Sequence, residues 1–147
     1  MVNISFWKNK KVLITGFNGF KGSWMSLFLA KQKATLFGYS LKNSENLKNE
    51  KLFRLKKIFK KICHNDIRNK KQFSNFINIT KPDIIFHFAA QSIVINSYKN
   101  PNENFETNFN GLLNLLENTK KKNITNIIIT SDKCYLNKDR KQSFKEN

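Results

Sequence analysis

Residues 11–30 read KVLITGFNGFKGSWMSLFLA. The apolar run Val12-Leu13-Ile14 breaks at glycine, and apolar residues then resume at helical period. That pattern predicts a strand, a tight turn and the opening turns of a helix. Gly16, Gly19 and Gly22 are spaced G-x-x-G-x-x-G. In such a turn the first glycine lets the chain leave the strand sharply, the second admits a pyrophosphate close to the backbone, and the third lets the helix pack on the sheet. Unpaired amides at the helix start face the anion. Gly16, Gly19, Phe20 and Gly22 are therefore the expected pyrophosphate contacts of a bound dinucleotide.

The 147 residues fit one domain with a real core. No apolar run approaches the roughly 20 residues of a membrane helix, and residues 24–30 are too short and too internal for a secretory leader. A cytoplasmic protein is expected. Cys63 and Cys134 stand far apart, and neither His64 nor His87 has a partner at ligand spacing. Reduced thiols and no metal follow. The net charge of +17 comes almost wholly from Lys spread along every segment, beside abundant Asn, Ile and Phe. AT-rich codon usage would produce that mixture. No groove-reading or strand-binding motif accompanies the charge, so no specific nucleic-acid partner is expected.

Before the first strand, Phe6 and Trp7 suggest an arm packed on the domain. Residues 34–40 read as the second strand. An acidic residue about 20 positions beyond the glycines usually holds the adenosine ribose. Tyr39, Ser40 and Leu41 stand there, with Lys42 next, which leaves Ser40 or the backbone for the ribose and the choice between NAD and NADP open. Residues 42–57 are polar and basic, irregular or partly helical, with no motif. A third strand over 58–63 leads to Asp66 and Ile67, which either receive adenine, by carboxylate and by ring contact, or leave Asp66 to cap the next helix. Phe73, Phe76 and Ile77 give that helix its buried face, and Lys81-Pro82 ends it.

Residues 83–90 read as a strand buried on both faces. The small Ala89 and Ala90, with Gln91, open its carboxyl end, where open α/β sheets bind ligands; these three are the expected nicotinamide side. Pro101 opens a helix with Phe105, Phe109, Leu112, Leu113 and Leu116 at helical spacing. Asn108 within it is either solvated or orders a neighbouring loop. A fifth strand over 124–130 delivers Ser131, Asp132 and Lys133 together at its carboxyl end. They offer a hydroxyl, an acid and a base to one substrate, or form a turn with a solvated ion pair. The expected architecture is a doubly wound parallel α/β sheet of about five strands, order 3-2-1-4-5, over residues 1–135, with a polar tail at 136–147.

Together, Phe6-Trp7, the glycine loop with Phe20-Lys21-Gly22-Ser23-Trp24, Gly38-Tyr39-Ser40-Leu41, Asp66-Ile67-Arg68, residues 86–92, Thr107-Asn108 and residues 130–135 resemble the extended short-chain dehydrogenase/reductase family. Within it they are most similar to the CDP-glucose 4,6-dehydratases. The resemblance implies NAD as cofactor and a nucleotide-sugar lyase. It implies Asp132 as the acid assisting loss of the C6 hydroxyl, Lys133 as a base at C5, and Ser131 or Thr130 at the C4 oxygen. As a base, Lys133 needs a pKa well below about 10.4. Related TDP-glucose enzymes have glutamate at that position. The family's Tyr-x-x-x-Lys pair is absent here, because Tyr39, Tyr98 and Tyr135 are followed four places on by Asn43, Asn102 and Asp139. The resemblance therefore implies the front part of a dehydratase, inactive alone; it suggests a homodimer for the complete protein, an oligomeric state that the residues themselves leave open. Two other readings stand beside it: another nucleotide-sugar dehydratase or epimerase, and a non-catalytic nucleotide-binding module.

Overall fold

The computed structural model describes residues 4–42 and 44–131. A short helix α1 (Ile4–Trp7) precedes β1 (Lys11–Thr15), α2 (Phe20–Lys31) and β2 (Thr35–Ser40). Next come α3 (Ser44–Leu52), a 3-10 turn (Leu55–Lys57), β3 (Phe59–His64), α4 (Lys70–Thr80) and β4 (Ile84–His87). After β4 the chain forms α5 (Val94–Lys99) and then α6 (Pro101–Phe105), which runs through a π-helical turn (Glu106–Asn110) into α7 (Gly111–Thr119). β5 (Thr125–Ile128) is the last described strand.

All strand pairs are parallel, and the order is β3-β2-β1-β4-β5. The expected topology is the observed one. Parallel strands need covered faces, and alternation along each strand supplies two cores. Val12, Ile14, Leu36, Ile84 and Phe86 join Phe17, Leu29, Leu55 and Phe59 on one side. Leu13, Phe37, Tyr39 and Ile85 join Phe73, Phe76, Ile77 and Leu115 on the other. Trp7 packs against the first core, so the arm ahead of β1 is a helical turn anchored by its indole.

Three boundaries differ from the sequence expectation. β3 begins one residue late because the Ile58 amide closes the preceding turn on Leu55. β4 stops at His87, whose partner Thr15 is the last residue of β1 before the chain turns away. β5 covers only the four residues that pair with β4. In the long helix, Gly111, Leu115 and Thr119 face the sheet, while Phe105, Phe109, Leu113 and Leu116 are exposed. Two glycines make room for neighbours. A Cβ at Gly38 would lie 2.8 Å from Phe17 Cδ1, and one at Gly111 would lie 2.7 Å from Ile67 Cγ2. The tail at 136–147 lies outside the described residues.

Candidate dinucleotide site

The glycine turn sits between β1 and α2, at the crevice where the sheet order reverses. Gly16 has φ +66°, a left-handed conformation that L side chains rarely adopt. Its amide donates to the Tyr39 carbonyl at 2.8 Å, and its carbonyl accepts from the Gly19 amide at 3.0 Å. A Cβ here would lie 2.8 Å from the Phe88 carbonyl carbon and 2.9 Å from the Ala89 nitrogen. One at Gly22 would strike the Gly16 carbonyl. Gly19 is the N-cap of α2 and brings no capping side chain, so the first-turn amides have no side-chain acceptor. Phe20 opens the helix with its ring exposed.

Opposite this turn, Thr15 Oγ1 lies 2.9 Å from His87 Nδ1 and accepts from the Ala89 amide at 3.2 Å. Burial pushes the His87 imidazole down from 6.5 to about 4, so the ring is neutral. The chain beyond β4 is then held by Asn108. Its Oδ1 accepts from the Gln91 amide at 2.8 Å, and its Nδ2 donates to the Gln91 carbonyl at 3.0 Å. Asn104 Nδ2 donates to the same carbonyl at 3.3 Å. Asn108 thus orders the neighbouring loop rather than standing solvated, and the π-helical turn that carries it places both of its amide atoms on one backbone unit. Ala89 and Gln91 are half-buried and Ala90 is exposed, with the Ala89 backbone nitrogen against Gly16.

At the end of β3, both Asp66 oxygens accept from Arg68: Oδ2 from Nη2 at 2.6 Å, Oδ1 from Nε at 3.0 Å and from the backbone amide at 2.8 Å. Arg68 also reaches Glu106 at 3.2 Å. The guanidinium hydrogen bonds hold the Asp66 carboxyl below the usual carboxylate range. The cap of α4 is Asn69, which accepts from the Gln72 amide at 3.1 Å, so Asp66 does not serve as that cap. Ile67 is buried beneath Gly111. Tyr39 donates to the Asp66 carbonyl at 3.1 Å, and burial pushes its phenol up. Ser40 is buried, and its hydroxyl donates to Asn18 Oδ1 at 2.6 Å. Ser131 lies just beyond β5, whereas Asp132 and Lys133 lie outside the described residues. Among the described residues no cluster of three or more His, Cys, Asp or Glu could hold a metal. No helix among them is long and apolar enough to cross a membrane.

A family profile for GDP-mannose 4,6 dehydratase matches residues 13–147. The chain belongs to this family. Over the whole chain it is 40% identical to CDP-glucose 4,6-dehydratase of Salmonella typhimurium, covering 41% of that protein. It is 37% identical to CDP-paratose 2-epimerase of Salmonella typhi, over 82% of the chain and 36% of the relative. The chain thus spans about two fifths of the curated relatives it matches. Among solved structures, epimerase Mth375 from Methanothermobacter thermautotrophicus superposes with a TM-score of 0.81 at 24% identity, over 97% of the chain and 41% of that protein. UDP-glucose-4-epimerase from Stenotrophomonas maltophila, solved with bound NAD and formylated UDP-arabinopyranose, gives 0.78 at 23% identity, over 92% and 41%. These two likenesses show the doubly wound fold across nearly all of this chain.

The sequence reading passed over several residues that the fold gathers here. Thr15 and His87 are hidden in apolar strands, Arg68 and Glu106 come from separate segments, and Glu50 sits in a polar run without a motif. Only Arg68, two places after Asp66, carried a local signal.

Proposed function

We propose that this chain is the NAD-binding part of a nucleotide-sugar 4,6-dehydratase acting on CDP-glucose. The observation that carries the reading is the glycine turn: at Gly16 and Gly22 a Cβ would fill the cradle or strike its backbone. A turn of this shape fits a pyrophosphate against the α2 amides. Forty per cent identity across the whole chain supports the choice of CDP-glucose among related substrates.

When bound, the nicotinamide supplies a hydride acceptor for C4 of the glucose ring and later a hydride donor to C6. The residues of this chain bind and move protons. Gly16, Gly19, Phe20 and Gly22 hold the pyrophosphate, Asp66 and Ile67 the adenine, and Ser40 or the backbone beside it the ribose. Ala89, Ala90 and Gln91 line the nicotinamide side. Ser131, or Thr130, would hold the C4 oxygen while that carbon becomes a ketone, the hydroxyl proton passing to the tyrosine of a Tyr-x-x-x-Lys pair that the whole enzyme would have to supply. Lys133 removes the acidified C5 proton, Asp132 protonates the departing C6 hydroxyl, and water leaves. A proton returns to C5 as C6 is reduced, giving CDP-4-keto-6-deoxyglucose. The isolated 147 residues lack the Tyr-x-x-x-Lys pair, and loss of general acid/base catalysis alone typically costs about 10² to 10⁴ in rate. They should bind NADH without turning over CDP-glucose.

Two measurements test this. NADH titrated into the purified chain should saturate one site, and a folded chain that binds none would sink the cofactor reading. Sequencing the gene past the codon for Asn147 should reveal, in the same or a shifted frame, a Tyr-x-x-x-Lys and a further domain. Unrelated sequence after a true stop would remove the dehydratase assignment and leave nucleotide binding.

A further inference from the structure

The excursion between β2 and β3 takes no part in the chemistry above, yet it buries a carboxylate beside the glycine turn. Glu50 of α3 is 2% exposed. Such burial is unfavourable unless polar groups surround the charge. Oε2 accepts from Asn18 Nδ2 at 3.4 Å and lies 3.4 Å from His64 Nε2. Oε1 lies 3.9 Å from Lys56 Nζ and accepts no hydrogen bond among the described residues. The preceding residue, Asn49, donates its Nδ2 to the Asn18 backbone carbonyl at 3.1 Å.

Asn18 lies between Gly16 and Gly19 and is fully buried. Its amide nitrogen also donates to the Leu41 carbonyl at 3.3 Å, and its amide oxygen accepts from Ser40. Every polar group of that side chain is therefore spent inward, on the end of β2, on Leu41 just past it and on α3. A side chain so committed serves the shape of the turn rather than the ligand. Anion binding by backbone amides depends on that shape being fixed beforehand.

We propose that Glu50 and Asn49 are positioning residues: α3 grips Asn18 by its side chain and its carbonyl, and so holds the glycine turn in the form that receives the cofactor pyrophosphate. The inference rests on the NAD reading and adds to it a role for Asn49 and Glu50 of α3.

The test uses the 147-residue chain with NADH as the probe. NADH affinity is read by fluorescence titration, and exchange of the residue 16–22 amides is read without cofactor. Glu50→Ala should weaken NADH about tenfold and speed loop exchange about tenfold, the scale of one hydrogen bond to a charged group. Glu50→Gln keeps an acceptor for Asn18 and should stay within about threefold of the parent on both readings. Asn49→Ala, which loses only the grip on the carbonyl, should fall between them. Should Glu50→Ala fail to fold, the Asn49→Ala and Glu50→Gln pair decides in the same way. Unchanged affinity and loop exchange in Glu50→Ala, or equal losses in the Ala and Gln variants with loop exchange unmoved, would overturn the proposal. If the folded parent chain binds no NADH, the cofactor reading fails. Loop exchange then judges the clamp alone, faster exchange in Glu50→Ala supporting it and unchanged exchange overturning it.

Discussion

Asn108 pairs both of its side-chain amide atoms with the backbone of Gln91, accepting from its N–H at 2.8 Å and donating to its carbonyl at 3.0 Å. Asn108, with Asn104 on the same carbonyl, therefore fixes the loop at the carboxyl end of β4. Asn108→Ala would leave the Gln91 N–H unpaired and its carbonyl with the 3.3 Å hydrogen bond from Asn104 alone, at about 1–3 kcal/mol in all. NADH affinity should fall with the loop's order. Urea unfolding and NADH titration of this variant check the point, and parent values in both would refute it. Asn108→Asp keeps the acceptor alone and should lose roughly half as much.

Gly16→Ala should abolish NADH binding more completely than it unfolds the chain. The left-handed φ costs an L residue about 1–2 kcal/mol, and the added methyl meets the backbone of residues 88 and 89. Gly22→Ala pushes α2 off the turn and should cost about 1–3 kcal/mol of stability by overpacking. Thermal melts alongside NADH titration separate the two effects. Normal binding by a folded Gly16→Ala variant would contradict the placement of the anion.

His87 makes stability depend on acidity. Its imidazole is pushed down to about 4 in the fold against 6.5 when free. A lowered folded value means that the unfolded chain takes up the proton first, so this stabilisation is complete above about pH 6.5 and lost as pH falls toward 4. The loss amounts to about 3 kcal/mol. His87→Gln should flatten the difference in unfolding free energy between about pH 7 and about pH 4.5. An identical pH slope in parent and variant would show that the ring titrates normally.

Arg68 holds Asp66 ionised, chiefly through the hydrogen bonds of its guanidinium. Arg68→Gln should raise the Asp66 carboxyl toward its ordinary range and cost about 1 kcal/mol, a small value because the pair is partly solvated. NMR titration of the Asp66 carboxyl carbon checks this. A carboxyl that does not move would mean that the backbone amide of residue 68, rather than the guanidinium, keeps it ionised against the upward push of burial.

Phe105, Phe109, Leu113 and Leu116 form an exposed apolar stripe down the outer side of the long helix. Contiguous apolar surface of this kind promotes association. Changing Phe105 and Phe109 to Gln should lower light scattering at a fixed concentration and leave the unfolding midpoint within about 2 °C. A large fall in the midpoint would instead place these rings inside a packed interface.

The strand–glycine–helix unit was legible because three independent signals agree there: a short apolar run, glycines at functional spacing, and helical periodicity after them. Sheet order followed from the alternation of strands and helices. The side of the long helix that meets the sheet was not legible. Apolar residues at 105, 109, 112, 113 and 116 satisfy helical spacing, but with a π turn between Glu106 and Asn110 the helix presents Leu115 and Leu112 to the core and leaves the other four exposed. Glu50 was invisible for a different reason. An acid in a run of Lys, Asn and Ser reads as solvated, and only tertiary contact with Asn18 and His64 takes it out of water. Asp66 was found by its place after β3 and Arg68 stands two places on, whereas the bridge from Arg68 to Glu106 joins distant segments and left no local signal.

Phe17 and Gly38 occupy one volume, since any side-chain carbon at 38 would lie 2.8 Å from a ring that is fully buried. Ile67 and Gly111 share space in the same way on the other side of the sheet. Such pairs drift only as pairs. A lineage that shrinks the ring at 17 frees 38 to accept alanine, and one that keeps the ring must keep the glycine. Bulk at 17 and at 38 should therefore vary inversely from one descendant to the next, as a coupled trade recorded in sequence alone.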